Sequence, residues 1–332
     1  MPCVRDIIEQ NEKNFLCEYA TLSVKSMGRS VGELKCDLRT DFQRDRDRII
    51  HSASFRRLKH KTQVYIAPEG DHYRTRLTHT LEVSQIARTI SRALFLNEDL
   101  TEAIAMGHDL GHTPFGHAGE RALNSCLDGG FRHYEQSVRV VQKLEKSGKG
   151  LNLTYEVEDG ILKHTNMDAA TREGQIVRLA DRIAYMNHDI DDSIKAGILT
   201  EEDIPIEIRQ GLGFSKSARI DTMTKAVISH GAKEIGTDEY ITELMDKLHK
   251  FMFDAVYTNP IAKGEESKAQ SLIITLFDYF SKNPDKLPEE YHFISNTEGP
   301  KRASADYIAG MTDRYVVNIY NSLFIPKSWM VL

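Results

Sequence analysis

The chain has little cysteine, few prolines and no excess of positive charge, and each shortage excludes a class of protein. Its four cysteines, Cys3, Cys17, Cys36 and Cys126, form no C-x-x-C pair and are too sparse to be a disulfide framework for 332 residues. A reducing cytoplasm is the expected compartment. Between Met1 and Cys36 no apolar run of roughly 7 to 15 residues follows a basic start, and no window approaches the roughly 18 to 20 apolar residues of a membrane span. Neither export by a signal peptide nor a membrane anchor is expected. Lys and Arg number 43 against 49 Asp and Glu, a formal net charge of -6. That balance lacks the basic excess of a non-specific nucleic-acid binder, leaving nucleic acid as a secondary partner in a local groove. With 40% hydrophobic and 28% charged residues, the chain has enough apolar material for one large domain or two modest ones, which rules out disordered, collagen-like and fibrous classes.

Strand-like alternation is also scarce. Apolar residues recur at helical spacing in Leu81, Val83, Ile86, Ile90, Ala93 and Leu94, in Val138, Val141 and Leu144, and in Ile176, Leu179, Ile183, Met186 and Ile190. Only Thr62 to Ile66 and Val316 to Phe324 hold enough β-branched and aromatic residues to compete as strands, and the second reads equally well as helix. The expected fold class is all-α. Ser147 to Asn152, Gly211 to Ser217 and the polar stretch Lys282 to Lys301 are the candidate boundaries. They delimit a peripheral C-terminal part, and the expected division is an N-terminal helical segment over 1–60, a core over 61–200 and C-terminal helices over 201–332 that complete the same unit. Gly107, Gly111, Pro114, Gly116 and Gly119 crowd into thirteen residues, so that segment cannot be one straight helix.

The chemistry gathers around that break. Eight of the thirteen histidines (His72, His79, His108, His112, His117, His133, His164 and His188) lie between positions 72 and 188. His108-Asp109 should end a short helix running from near Thr101 to Gly111, where an imidazole and a carboxylate can bind one divalent ion. His79 begins an amphipathic helix and shares its inward face with Val83, Ile86 and Ile90. Further on, Asp181, Tyr185, His188, Asp189 and Asp192 fall within about a 100° arc of one helix, away from the apolar Ile176, Leu179 and Ile183. Three carboxylates on one face repel one another unless a cation or hydrogen-bond donors sit among them.

Together His79, His108, Asp109 and Asp181 offer two imidazoles and two carboxylates from three helices. That donor set suits Mn, Fe, Ni, Zn or Mg better than a closed structural zinc site, and it leaves positions open for water and substrate. Such a centre can polarise a phosphoryl oxygen and acidify water, which makes phosphate-ester hydrolysis the natural chemistry. Taken singly, an inward histidine is more often a satisfied core residue, and a His-Asp dipeptide is common by chance. The combination carries the reading, because His112, His117 and Glu120 follow at once in HDLGHTPFGHAGE.

With that string the sequence resembles the HD-domain superfamily of metal-dependent phosphohydrolases, and within it the deoxynucleoside triphosphate triphosphohydrolases of the dGTPase family. The segments Phe42 to Val64, Arg74 to Val83, Phe131 to Val141, Leu179 to Asp192 and Asp306 to Tyr315 are similar to family segments too, so the resemblance covers nearly the whole chain. It implies that His79, His108, Asp109 and Asp181 are the metal ligands, that His117 protonates the leaving 5′-oxygen, and that Glu120 orients His117. It further implies that His112 and His133 touch the α-phosphate region and that Arg76 clamps phosphates. Arg182, Tyr185 and Asp189 would meet the phosphates and sugar, with Tyr185 against the 2′ carbon and Asp189 accepting from the 3′-hydroxyl, and Gln63 would lie near the sugar and base.

The implied reaction releases deoxynucleoside and intact triphosphate with the aid of a divalent metal, left open among Mn, Mg, Fe and Ni. Family resemblance also implies a homo-oligomer, a hexamer, and an activating nucleotide at a second site. Arginines 39, 44, 46, 48, 56 and 57 could serve such a site or form a solvated, ion-paired surface. The rival readings are another HD phosphohydrolase, acting on a nucleoside monophosphate, cyclic nucleotide or alarmone, and a non-catalytic nucleotide sensor or single-strand nucleic-acid binder.

Overall fold

The computed structural model describes residues 2–63, 74–257 and 260–327. Among them the regular structure is helical, and pairing between extended segments is confined to the isolated bridges Arg29 with Thr154 and Thr62 with Thr75. The all-α expectation holds. In chain order the helices are α1 (Val4–Phe15), α2 (Asp41–Ile50), α3 (Ala53–Arg57), α4 (Arg76–Ala93), α5 (Glu98–Gly107), α6 (Gly116–Cys126), α7 (His133–Arg139), the single turn α8 (Glu145–Gly148), α9 (Tyr155–Lys163) and α10 (Arg172–Lys195). They continue as α11 (Ile206–Leu212), α12 (Lys216–His230), α13 (Glu239–Met252), α14 (Pro260–Lys282), α15 (His292–Glu298), α16 (Pro300–Ala309) and α17 (Asp313–Phe324). None of the described helices is long and apolar enough to cross a membrane.

The helices that bear His79 and Asp181, the one that leads into His108, and α17 start at side-chain caps, whereas α6 and α7 have none. Thr75 accepts from the Thr78 amide, Asn97 from Leu100, Thr171 from Gly174 and Thr312 from Tyr315. Each cap satisfies an amide that the first turn leaves unpaired, a contribution of roughly 1 kcal/mol. The Asn97 cap moves α5 three residues upstream of the expected Thr101 start. The helix stops at Gly107, so His108 and Asp109 lie just beyond it rather than inside it. Packing sets that end: a Cβ on Gly107 would come 2.4 Å from Ile161 of α9, and one on Gly111 only 2.1 Å from the Ser137 amide of α7. Val316 to Phe324 is helical, within α17, because Val316 is fully buried against neighbouring helices. The Lys282 to Lys301 stretch is no plain loop, since α15 forms inside it and buries Ile294. Thr62 keeps its bridge, while Val64 to Ile66 and His72 lie outside the described residues.

Two apolar clusters organise the chain. The larger is built on α2, α4, α5, α9 and α10 and extends through α11, α12 and α13. In the smaller, Phe115, Ala118, Ala122, Leu123 and Phe131 pack with Ile273, Leu276, Phe277, Ile308 and Val316 of the C-terminal helices. The glycine-broken segment is the crossing between them. It leaves α5 in the first cluster and delivers α6 to the second, so residues 108–117 are held from both sides.

Candidate metal centre and active site

Three helices of the first cluster deliver one group of ligand atoms. His79 sits in the first turns of α4, His108 follows α5, and Asp181 lies midway along α10. Their ligand atoms all fall within 4.8 Å of one another. His79 Nε2 is 3.0 Å from Asp181 Oδ1, and His108 Nε2 is 3.9 Å from the same oxygen. Both histidines are buried.

Hydrogen bonds set the tautomers. His108 Nδ1 lies 2.7 Å from the Ala105 carbonyl, so it carries the proton and donates. That leaves Nε2 as a lone pair buried without a partner among the described residues. His79 Nδ1 lies 3.3 Å from His188 Nδ1, and His188 Nε2 lies 3.2 Å from Glu82 Oε2. The chain is satisfied when His188 donates to Glu82 and accepts from His79, which leaves His79 Nε2 basic. Burial, reinforced by His79 and Arg74, keeps His188 neutral. Burial opposes charge on Asp181, but the His79 hydrogen bond and His108 outweigh it and hold the carboxyl below its usual range. Asp181 in turn raises the pKa of His79 against the desolvation that would lower it. A basic His79 Nε2 facing the Asp181 carboxylate, beside the orphaned His108 lone pair, is the arrangement a divalent cation would bridge. The His2Asp2 donor set fits such an ion.

Asp109 stands between this group and a second one. Its Oδ1 is 3.7 Å from His108 Nε2 and 3.6 Å from His112 Nε2, while its Oδ2 accepts from Arg76 Nη1 at 2.9 Å. Burial resists its charge, yet His108, Arg76 and His112 hold it well below the carboxylate range. With His112 and His133 it forms another set of ligand atoms within 4.8 Å. The His112 and His133 rings stack at 4.1 Å, with 20° between their planes. Asp109 is thus shared between the two groups rather than committed to His79, His108 and Asp181 alone.

Glu120 organises the rim. Its Oε1 accepts from the His133 amide at 2.9 Å and lies 3.0 Å from His133 Nδ1, while Oε2 is 3.4 Å from His117 Nδ1. Burial would raise its pKa, but the bonds from His117 and His133 drive it far below the normal range, so it stays a carboxylate. His117 is the outlier in exposure, its side chain 70% accessible, which places its free ring edge toward solvent and any incoming ligand. The backbone that turns it outward needs glycine. A Cβ on Gly119 would meet the Pro114 carbonyl at 2.1 Å, and Gly116 adopts φ +55° beneath Arg76 Nη2.

The remaining candidates divide. Arg76 is buried, and neither its Nε nor the buried Gln63 Oε1 has a partner among the described residues. Asp189 is buried and accepts from Tyr257 Oη, while its Oδ1 has no partner among the described residues. Burial pushes the Asp189 carboxyl up to about 7 despite the Tyr257 hydrogen bond. Tyr185 is half-buried, its phenol pushed up to about 12 by burial, and its ring lies 6.2 Å from that of His249. Arg182 points instead to Asp246 on α13, an exposed pair. Arg39, Arg44, Arg46 and Arg48 pair with Asp47, Glu33, Asp99 or Glu102, as an ion-paired surface would.

Four residues near the site have no signature in sequence spacing. His164 caps α9, donates from Nδ1 to the Ile161 carbonyl at 2.7 Å and sets Nε2 3.3 Å from His133 Nε2. Burial pushes its pKa down to about 4. Tyr257, Asp246 and the buried Lys61 reach the site from segments far away in the chain. Membership of the histidine-rich stretch was the single available hint, for His164.

Residues 76–186 match the HD domain model, and residues 235–322 match a phosphohydrolase-associated domain. A deoxyguanosinetriphosphate triphosphohydrolase-like protein of Caldanaerobacter subterraneus subsp. tengcongensis is 57% identical over 98% of this chain and 97% of its own length. One of the same name from Clostridium tetani is 49% identical, again over 98% and 97%. Among solved structures, a hypothetical protein from Aquifex aeolicus aligns with a TM-score of 0.50 and 18% identity, covering 90% of this chain and 69% of that one. That likeness concerns the fold alone.

Proposed function

The chain belongs to the HD-domain phosphohydrolases known as deoxyguanosinetriphosphate triphosphohydrolase-like proteins, and from that premise we propose that it hydrolyses deoxynucleoside triphosphates to deoxynucleoside and inorganic triphosphate. The observation that carries this reading is the orphaned His108 Nε2, buried beside His79, Asp109 and Asp181, with the His117–Glu120 pair close by. His79, His108, Asp109 and Asp181 would hold the divalent ion, which supplies polarisation of a phosphoryl oxygen and acidification of water.

The protein's own groups do the rest. Arg76, tied to Asp109 through Nη1, has a buried Nε without a partner among the described residues to offer a phosphate oxygen, and an arginine fork suits that role. His112, held neutral by burial and by Arg76 and His133, stacks with His133 beside that position. His117 faces outward with Nδ1 toward the Glu120 carboxylate, so its Nε2 is the atom that hands a proton to the departing 5′-oxygen. Asp189, with one oxygen that has no partner among the described residues, would accept from the sugar 3′-hydroxyl. Gln63 would meet the sugar and base through its side-chain oxygen, which has no partner among the described residues. Arg182 would contact phosphate after leaving Asp246.

The test incubates metal-stripped protein with each of the four dNTPs, singly and in pairs, with Mn or Mg restored, and separates the products. Triphosphate plus deoxynucleoside is the expected result, and dependence on a pair would reveal an activating second nucleotide. Monophosphate plus pyrophosphate would overturn the choice of bond, and no turnover in any combination would overturn the enzymatic reading.

A further inference from the structure

The segment Asp306 to Tyr315 contributes no group to the site described above, yet it grips the loop that carries His112 and His117. Asp313 opens α17 and is buried. Its Oδ1 accepts from the Phe115 amide at 3.0 Å, while Oδ2 accepts from the Thr62 amide at 3.0 Å and from the Thr62 hydroxyl at 2.6 Å. Phe115 has φ 61° and ψ 25°, and Gly116 after it has φ +55°. A phenylalanine in the left-handed region is strained, and such a conformation persists where its surroundings over-determine it. Here the amide is tied to Asp313, the ring is buried in the second apolar cluster, and Thr113 Oγ1 donates to the Gly116 carbonyl at 2.8 Å.

Thr62 carries the link onward. It bridges to Thr75, the cap of α4, and the Arg76 amide donates to the Lys61 carbonyl at 3.0 Å. Lys61, fully buried, donates from Nζ to the carbonyls of His112 and of Ala309, the last residue of α16. Both ends of the His112–Phe115 turn are therefore fastened to the C-terminal helices, and the same two fastenings hold the start of the helix that bears His79.

We infer that Asp313 is a positioning residue for the phosphohydrolase reaction, setting the rim histidines against the His79 helix by clamping Phe115 and Thr62 with its two oxygens. A carboxylate is required because both oxygens receive donors. Asparagine supplies one acceptor and one amine, and the amine would face an N–H. The inference rests on the proposed hydrolysis, and its test is arranged to fail separately.

Asp313→Asn is compared with Val316→Ala, which removes fully buried apolar volume from the same helix without touching the clamp. Asp313→Asn should lower kcat on the order of 10- to 100-fold, the scale of a 1 Å misplacement. KM and metal content should stay near wild type, and the limb of the kcat–pH profile that reports the acid should weaken. Val316→Ala should lower Tm yet keep kcat at temperatures where it is folded. Amide exchange across residues 111–118 should accelerate in Asp313→Asn, with residues 98–107 remaining protected.

Wild-type kcat in folded Asp313→Asn, or equal kcat losses in both variants, would overturn the inference. If Asp313→Asn does not fold, Thr62→Val, which deletes one donor to the clamp, takes its place: lowered kcat at unchanged Tm supports the clamp, and unchanged kcat removes it. Should the wild-type protein turn over no dNTP, the functional proposal falls. Exchange at residues 111–118 then still decides whether Asp313 holds the loop.

Discussion

Two groups of histidines meet at one carboxylate oxygen, Asp109 Oδ1, 3.7 Å from His108 and 3.6 Å from His112, and they are built in opposite ways. The His79–His108–Asp181 group hangs on helices of the larger apolar cluster, and each ring is oriented from behind, by the Ala105 carbonyl or by His188 and Glu82. The His112–His117–His133 group hangs on a glycine-broken turn, a carboxylate and the smaller cluster, and one member faces solvent. Rigid backing suits groups that must hold a cation in one geometry. A turn fastened at a few points suits groups that must meet a ligand arriving from solvent and then release it.

If the division is real, removing a member of each group should have different consequences. The largest effect is expected from His108→Ala or Asp181→Ala. Bound metal, measured by elemental analysis, should be lost, and turnover should fall by more than the roughly 10- to 100-fold typical of mutated outer partners. His117→Ala should lower kcat by about 10²- to 10⁴-fold, the usual contribution of a general acid, with metal content retained. Loss of metal from that variant would erase the distinction between the groups.

His188→Phe sharpens the comparison from the other side. It removes the acceptor that sets the His79 tautomer without touching the rim, so metal affinity in a competition titration should drop by about 10- to 100-fold while His117 chemistry persists in excess metal. Equal affinity in the variant and wild type would assign the tautomer to something else.

His164 touches both groups, with its ring 5.1 Å from His108 and 5.3 Å from His133, and gives the smallest effect, one of stability. Burial lowers its pKa from 6.5 to about 4. Below pH 6.5 the unfolded chain takes up a proton that the folded chain does not, so stability is complete above that pH and is lost as the pH falls toward 4. The linkage amounts to at most about 3 kcal/mol. Denaturant midpoints of metal-stripped protein across this range should decline, and the decline should be shallower in His164→Phe.

Legibility in sequence followed the range of each interaction. Helical periodicity exposed the inward face of α4 and the carboxylate stripe of α10, because both are properties of one helix, and the glycine cluster marked the turn between α5 and α6. Helix ends were less legible. The Asn97 cap and the approach of Ile161 to Gly107 set the limits of α5, and the second of these is a contact across the fold. The pairing of Arg182 could not be read from spacing, nor could the alternatives left open for the N-terminal arginines be narrowed, since the partners Asp246, Glu33, Asp99 and Glu102 lie on other segments or other turns.

By itself, then, the order of residues determined an all-helical chain, the three helical segments that carry imidazole and carboxylate, and the glycine break that leads into His112, His117 and Glu120. Each follows from local rules: period, capping and the steric freedom of glycine. Tertiary structure alone decided that Asp109 is shared between two groups, that His117 faces solvent, that His188 stands behind His79 and His164 lies against His133, and that Asp313 and Lys61 hold the turn from some two hundred residues and some fifty residues away. Those choices depend on which buried donors and acceptors meet when two apolar clusters close on each other, and spacing along a chain does not encode that meeting.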